Sequence, residues 1–117
     1  MNLVCIPAYN EEKTIGNLVR ISLKYADKVI VCDDGSTDST AKIAKQSGAT
    51  VISHIKNEGY GASIITLFER ARQENVDIMV TIDGDGQHNP DQIPLLINTL
   101  QENNVRHFNV SRETCLH

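Results

Sequence analysis

Short unbroken apolar runs alternate along this chain with longer stretches in which apolar residues return every three or four positions. Leu3-Val4-Cys5-Ile6, Val29-Ile30-Val31-Cys32 and Ile78-Met79-Val80-Thr81-Ile82 are nearly continuous in apolar character, and Thr50 to Ser53 is a shorter segment of the same kind. Runs of this length without polar alternation suit strands covered on both faces. Between them, Ile15, Leu18, Val19 and Leu23, then Ala41, Ile43 and Ala44, then Ile64, Leu67, Phe68 and Ala71 recur at helical spacing. Strand and helix therefore alternate, which calls for an α/β fold: a mostly parallel sheet with right-handed crossovers and helices on both faces.

The punctuation between these segments sets the expected boundaries. Pro7 ends the first ladder, because it has no N–H to donate. Asn10 is placed to cap the first helix, with Glu11 and Glu12 in its first turn. Ser36 or Asp38 caps the second helix, and Gly48 stops it. Gly59 and Gly61 make a turn into the third helix that would admit a phosphate to its N-terminus. They are no dinucleotide fingerprint, since Ile64 stands where a third glycine belongs. Asn89-Pro90-Asp91 is a helix start, with Ile93, Leu96, Ile97 and Leu100 as the apolar face. Phe108-Asn109-Val110 reads as a fifth strand ending at Ser111-Arg112, and residues 106–117 otherwise read as an irregular tail.

At 117 residues the chain suits one domain with a single core. A net charge of -4 disfavours nucleic acid and acidic membrane surfaces as partners, because both require a basic footprint. Phosphate binding would then need a cation or helix N-termini. Cys5, Cys32 and Cys115 are odd in number and lack paired metal spacing. Cys5 and Cys32 fall inside strand runs, so they read as buried thiols in a reducing compartment. No basic-then-apolar leader and no run of membrane-span length is found, so the expected location is cytoplasmic, or peripheral on the cytosolic membrane face.

The apolar run at Ile78 stops at Asp83-Gly84-Asp85-Gly86-Gln87. Asp83 and Asp85 are an i, i+2 pair at a strand end, where parallel sheets place their ligands, and the glycines let the backbone turn closely around them. Two hard carboxylates suit Mg²⁺ or Mn²⁺, with the phosphates of a nucleotide diphosphate filling other positions. Glu11 and Glu12 after the first strand and Asp33 and Asp34 after the second open on the same sheet edge. Singly, each acid reads as an ordinary cap or turn residue. Three strand ends bearing the same feature point to one site, since like charges held close need a cation or hydrogen-bond donors between them.

Pro7-Ala8-Tyr9-Asn10-Glu11-Glu12, Asp33-Asp34-Gly35-Ser36-Thr37-Asp38, Asn57-Glu58-Gly59-Tyr60-Gly61 and Asp83-Gly84-Asp85-Gly86-Gln87-His88 together resemble the ordered signature of family 2 glycosyltransferases. The likeness is to the branch acting on dolichyl or polyprenyl phosphates with mannose or glucose donors. It implies a GT-A fold, a Rossmann-like, mostly parallel sheet, represented here by the nucleotide-sugar-binding half. The donor would be GDP- or UDP-linked and the acceptor a lipid phosphate at a membrane surface. The resemblance implies that Pro7, Tyr9, Glu11 and Asp34 line the base and ribose pocket, with Ala8, Cys32 and Gly84 also on the nucleotide-sugar side. Asp83 would contact the ribose, Asp85 would be the catalytic metal holder at the diphosphate, Gln87 would assist it, and Arg112 would face the donor phosphates.

Gly84 departs from the alanine usual in this branch, a change that should loosen the turn. Residues 106–117 also fit the family poorly, and the acceptor half is expected to be missing. A homo-oligomer or a partner chain would then supply it. A second reading is a truncated, non-catalytic nucleotide-binding fragment or interaction module. A nucleotidyltransferase is disfavoured, because Ala8 to Glu12 is acidic where that class has a basic, glycine-rich phosphate loop.

Overall fold

The computed structural model describes residues 1–84, residues 94, 95, 98 and 99, and the segments 107–109 and 114–116. Strands β1 (Asn2–Ala8), β2 (Lys28–Asp33), β3 (Thr50–Ser53), β4 (Ile78–Thr81), β5 (His107–Asn109) and β6 (Thr114–Leu116) form one sheet in the order β3-β2-β1-β4-β5-β6. Neighbours pair in parallel from β3 to β5, and β6 runs antiparallel to β5. Helices α1 (Ile15–Ser22), α2 (Thr40–Gln46) and α3 (Tyr60–Gln73) lie in the connections between the first four strands. This is the expected mostly parallel α/β architecture.

The apolar runs divide by parity into two layers, because successive strand side chains point to opposite faces. Val4, Ile6, Ala8, Val29, Val31, Ile78, Val80 and Ile82 pack with Ile15, Leu18 and Val19 of α1 and Ala44 of α2. Leu3, Cys5, Ile30, Cys32 and Met79 pack with Leu67 and Ala71 of α3 on the other face. Each fully buried aliphatic chain contributes roughly 1.5–3 kcal/mol. The two helical faces clamp β1, β2 and β4 from both sides, which fixes where their C-terminal ends emerge.

Several boundaries differ from the sequence expectation, each for a local reason. β1 continues through Pro7, which pairs with Cys32, to Ala8, which pairs with Asp33. A proline lacks only the donor, and its carbonyl still accepts the Gly84 N–H at 3.3 Å. Asn10 does not cap α1, whose N-cap is Thr14. It adopts a left-handed φ of 51°, and its Oδ1 accepts the Thr37 N–H at 2.9 Å. Glu11 and Glu12 therefore precede α1 rather than occupy its first turn. Asp38 does serve the start of α2, accepting the Thr40 N–H at 2.9 Å, and Gly48 follows α2 at a φ of 112°.

The buried stripe of α3 is Ser63, Leu67 and Ala71, whereas Ile65 and Phe68 face outward. The tail carries the expected fifth strand, β5, and also β6, where an irregular ending was expected. The fifth strand starts one residue earlier than read, and Val110 lies outside the described residues. Residues 94, 95, 98 and 99 are helical, whereas the helix start at Asn89-Pro90-Asp91 and the face residues Ile93, Leu96, Ile97 and Leu100 lie outside the described residues.

Candidate functional site

The strand order reverses about β1: the chain moves outward through β2 to β3, then returns to place β4 on the other side of β1. Loops leaving β1 and β4 must diverge at such a switch point, and a crevice opens beyond the strand ends. A cavity of about 360 Å³ lies there, lined by Pro7, Ala8, Tyr9, Glu11, Asp34, Asp83 and Gly84, together with Asn57, Gly59, Tyr60 and Ser63. The first seven are residues that the sequence places at the nucleotide-sugar site. The other four come from the β3–α3 loop and α3, which sequence reasoning left as a weak glycine-rich turn.

The cavity walls are held by side chains bonded to neighbouring backbone. Ser36 Oγ accepts the Asn10 N–H at 2.9 Å, and Thr40 Oγ1 accepts the Glu11 N–H at 2.9 Å. The Asp34 N–H reaches the Ala8 carbonyl at 2.9 Å. These bonds tie the loop after β1 to the loop after β2. Gly35 makes the second loop possible: its φ is 72°, and a Cβ there would stand 2.4 Å from the Asn57 backbone nitrogen. Only glycine permits that approach without a shift in the backbone.

Gly84 closes the opposite wall. Its carbonyl accepts the Thr14 hydroxyl at 2.6 Å, and its N–H reaches Pro7. A Cβ at this position would stand 3.1 Å from the Pro7 carbonyl oxygen and 3.2 Å from Ala8 Cβ. The glycine therefore draws the turn against β1 rather than loosening it.

Asp34 is buried at the α3 end of the cavity. Its Oδ1 pairs with His54 Nδ1 at 2.8 Å and accepts the Glu58 N–H at 2.9 Å. Its Oδ2 accepts the Gly59 N–H at 2.9 Å. Burial alone would push this carboxyl up, but the bonds from His54, Glu58 and Gly59 and the imidazole charge outweigh it and hold the group below the usual carboxylate range. The N–H groups of Glu58 and Gly59, just ahead of α3, thus serve an internal anion.

Cys32 does not line the cavity. It lies on the α3 face of β2, fully buried with Ile30, because strand parity turns it away from the site. Its Sγ stands 3.7 Å from His54 Nε2. Burial pushes its thiol up to about 11; Ser63 opposes this, and the nearby acids Asp34, Asp33 and Glu58 add smaller upward contributions. Asp33 is turned inward as well and accepts the Ser36 N–H at 3.2 Å.

Asp85, Gln87 and Arg112, the residues expected to hold the metal and face the phosphates, lie outside the described residues. Among the described residues, no group of three or more His, Cys, Asp or Glu side chains forms a metal site. The described lining does contain three acids, Glu11, Asp34 and Asp83, and no lysine or arginine. Hard carboxylate oxygens without a basic side chain among them suit a divalent cation as the means of admitting phosphate.

Known proteins are similar to this chain in sequence and in fold. The UDP-N-acetylglucosamine–dolichyl-phosphate N-acetylglucosaminyltransferase of Methanococcus voltae is 39% identical over 110 residues, covering 79% of this chain and 44% of that enzyme. The undecaprenyl-phosphate 4-deoxy-4-formamido-L-arabinose transferase of Pseudomonas aeruginosa is 36% identical over 106 residues, covering 80% of this chain and 30% of that enzyme. Glucosyl-3-phosphoglycerate synthase of Mycobacterium tuberculosis, solved with Mn²⁺, UDP and phosphoglyceric acid, superposes with a TM-score of 0.68 at 34% identity, covering 86% of this chain and 38% of that one. The chain thus spans less than half the length of these relatives. The family model for glycosyl transferase family 2 matches residues 3–115, and the chain belongs to that family.

Proposed function

We propose that this chain is the donor-binding half of a glycosyltransferase that takes a sugar from a nucleotide-diphosphate donor, UDP-linked in preference to GDP-linked, for a polyprenyl or dolichyl phosphate acceptor. The observation that carries the reading is the acid-lined cavity at the β1/β4 switch point, formed by the family's signature loops. The preference for UDP follows two relatives, the dolichyl-phosphate enzyme at 39% identity, named for a UDP-linked donor, and the synthase at 34% identity, solved with UDP. The acceptor class follows the curated relatives, and with it a cytoplasmic location at the cytosolic membrane face. Among the described residues no helix is long and apolar enough to cross a membrane.

In this reading the cavity has two ends. The Asp34 carboxylate repels phosphate, so the base takes that end, where Tyr9 and Tyr60 offer aromatic faces. The diphosphate lies toward Asp83, and Asp85 with Gln87 would hold Mg²⁺ or Mn²⁺ beside it, with Arg112 facing the phosphates. The ion, when bound, supplies a Lewis acid that stabilises charge on the departing diphosphate. Asp83 orients the ribose, and the Thr14–Gly84 bond keeps that wall in place. A lipid phosphate oxygen is already anionic near neutral pH, so transfer to it depends on positioning more than on a strong base.

Thermal unfolding with UDP, GDP and their sugars, each with Mn²⁺ or with chelator, tests the donor site. A ligand at about 100 times its Kd adds about 2.7 kcal/mol, which raises Tm by about 10 °C in a chain of this size. The expected result is a shift that requires both Mn²⁺ and a uridine nucleotide, and that Asp85→Ala removes without lowering the ligand-free Tm. No shift in a folded, monodisperse sample overturns the donor site. Transfer is a separate proposition, since the chain spans 44% of the dolichyl-phosphate relative. Product analysis with a prenyl phosphate distinguishes it from donor binding alone.

A further inference from the structure

We propose that His54, which is not among the described residues lining the cavity, is a positioning residue that fixes the Asp34 carboxylate for recognition of the base and so sets which base is bound. This rests on the donor-site reading.

The geometry assigns the proton that Asp34 shares. An ionised carboxylate only accepts, so His54 Nδ1 carries the hydrogen shared with Asp34 Oδ1 at 2.8 Å. On the other side of the ring, Nε2 meets the Thr66 hydroxyl of α3 at 2.8 Å. The imidazole is mostly buried, with a side-chain exposure of 11%. It links α3, the end of β3 and the carboxylate in one chain of bonds. The sequence Cys32, His54, Asp34 has the order of a nucleophilic relay. With its sulfur fully buried and held as a thiol, Cys32 attacks nothing, and the arrangement holds rather than reacts.

Asp34 is thereby left with one free acceptor direction. A carboxylate offers about four lone-pair sites. Two on Oδ1 are taken by His54 and the Glu58 N–H, and one on Oδ2 by the Gly59 N–H. The remaining Oδ2 direction belongs to a residue that lines the cavity. A base with a ring N–H, as in uracil, satisfies it. Cytosine presents a lone pair at the same ring position and is repelled. Without the imidazole, the carboxylate is free to rotate and the distinction fades.

The test titrates the 117-residue chain with UDP or CDP in the presence of Mn²⁺ by calorimetry. His54→Ala is expected to weaken UDP roughly tenfold, the size of one charge-assisted hydrogen bond, and to lower the UDP-to-CDP ratio. Its affinity for Mn²⁺-pyrophosphate stays within about twofold. His54→Asn puts an amide N–H where Nδ1 stood and restores most of the UDP affinity. His54→Gln reaches toward Thr66 and does not. In the ligand-free chain, carbon-13 NMR should find the Asp34 carboxyl titrating higher in His54→Ala than in the parent.

A parent that binds UDP while His54→Ala keeps its affinity and ratio overturns this proposal alone, as does rescue by glutamine equal to that by asparagine. An unchanged Asp34 titration also overturns it. A parent that binds neither nucleotide overturns the donor-site reading, and this proposal with it.

Discussion

Beneath α1 and α2 the sheet is covered by an apolar layer that runs from Ala8 at the cavity to Ala49 beyond the end of α2. Beneath α3 the layer is thinner, contains the thiols of Cys5 and Cys32, and ends in polar groups, His54, Thr66 and Ser63, where it approaches the cavity. Both faces cover the same strands with alternate side chains, so the difference does not come from the sheet. It comes from what each helix contributes: α1 presents Ile15, Leu18 and Val19, whereas α3 buries only Ser63, Leu67 and Ala71. The face with less apolar cover also holds the hydrogen-bonded chain that orders Asp34. A recognition group needs fixed polar partners, and fixing them displaces apolar contact that would otherwise stabilise the fold.

Core truncations test this asymmetry most directly. Ile6→Ala, in the layer under α1, is expected to cost about 4 kcal/mol, near the upper part of the range for buried aliphatic deletions. Urea unfolding measures it. Gly35→Ala comes next at about 3 kcal/mol, because it combines a left-handed φ with backbone overlap against Lys56 and Asn57, at the seam between the two faces. Leu67→Ala, under α3, should cost about 2–3 kcal/mol, since a thinner layer collapses more readily around the space left. A Leu67 cost equal to or above that of Ile6 would erase the distinction between the faces.

The smallest effects are those of ionisation. Asp34 has a lowered pKa in the fold, so its contribution is complete above the unfolded carboxyl value of about 3.9 and is lost as pH falls through the folded value. The gap in stability between the parent and Asp34→Asn should therefore be wider at pH 7 than at acid pH. A constant gap would show that the carboxylate's charge does nothing for the α3 face. Burial pushes Cys5 up to about 12 and Cys32 up to about 11. Both should resist alkylation in the native chain at neutral pH and react on unfolding, and reaction of both ahead of global unfolding would mark α3 as the face that opens.

Much of this was legible beforehand because the code for it is local. Unbroken runs such as Val29 to Cys32 specify strands buried on both faces, and Gly48 specifies a helix stop through its own backbone freedom. Glu11, Asp34 and Asp83 fall together because parallel strands deliver their following loops to one edge, and Pro7 and Tyr9 join them through the family resemblance. The misreadings share the opposite character. Asn10 was taken for a cap, whereas its partner Thr37 lies on another loop. Phe68 matched the helical period, yet the side of α3 that meets the sheet runs through Ser63. Cys32 directly precedes the Asp33-Asp34 motif, yet strand parity turns it under the site.

The sequence by itself determined the order of strands and helices, the edge at which the acids gather and the family, since these depend on periodicity, turn chemistry and motif order within short windows. Only the tertiary structure decided which face each strand residue serves, that Glu58 and Gly59 spend their N–H groups on Asp34, and that His54 stands behind that carboxylate. Those outcomes depend on pairs such as Asp34 and His54, brought within 2.8 Å by the pairing of β2 with β3. No local pattern encodes a hydrogen bond between residues that meet only after the sheet has formed.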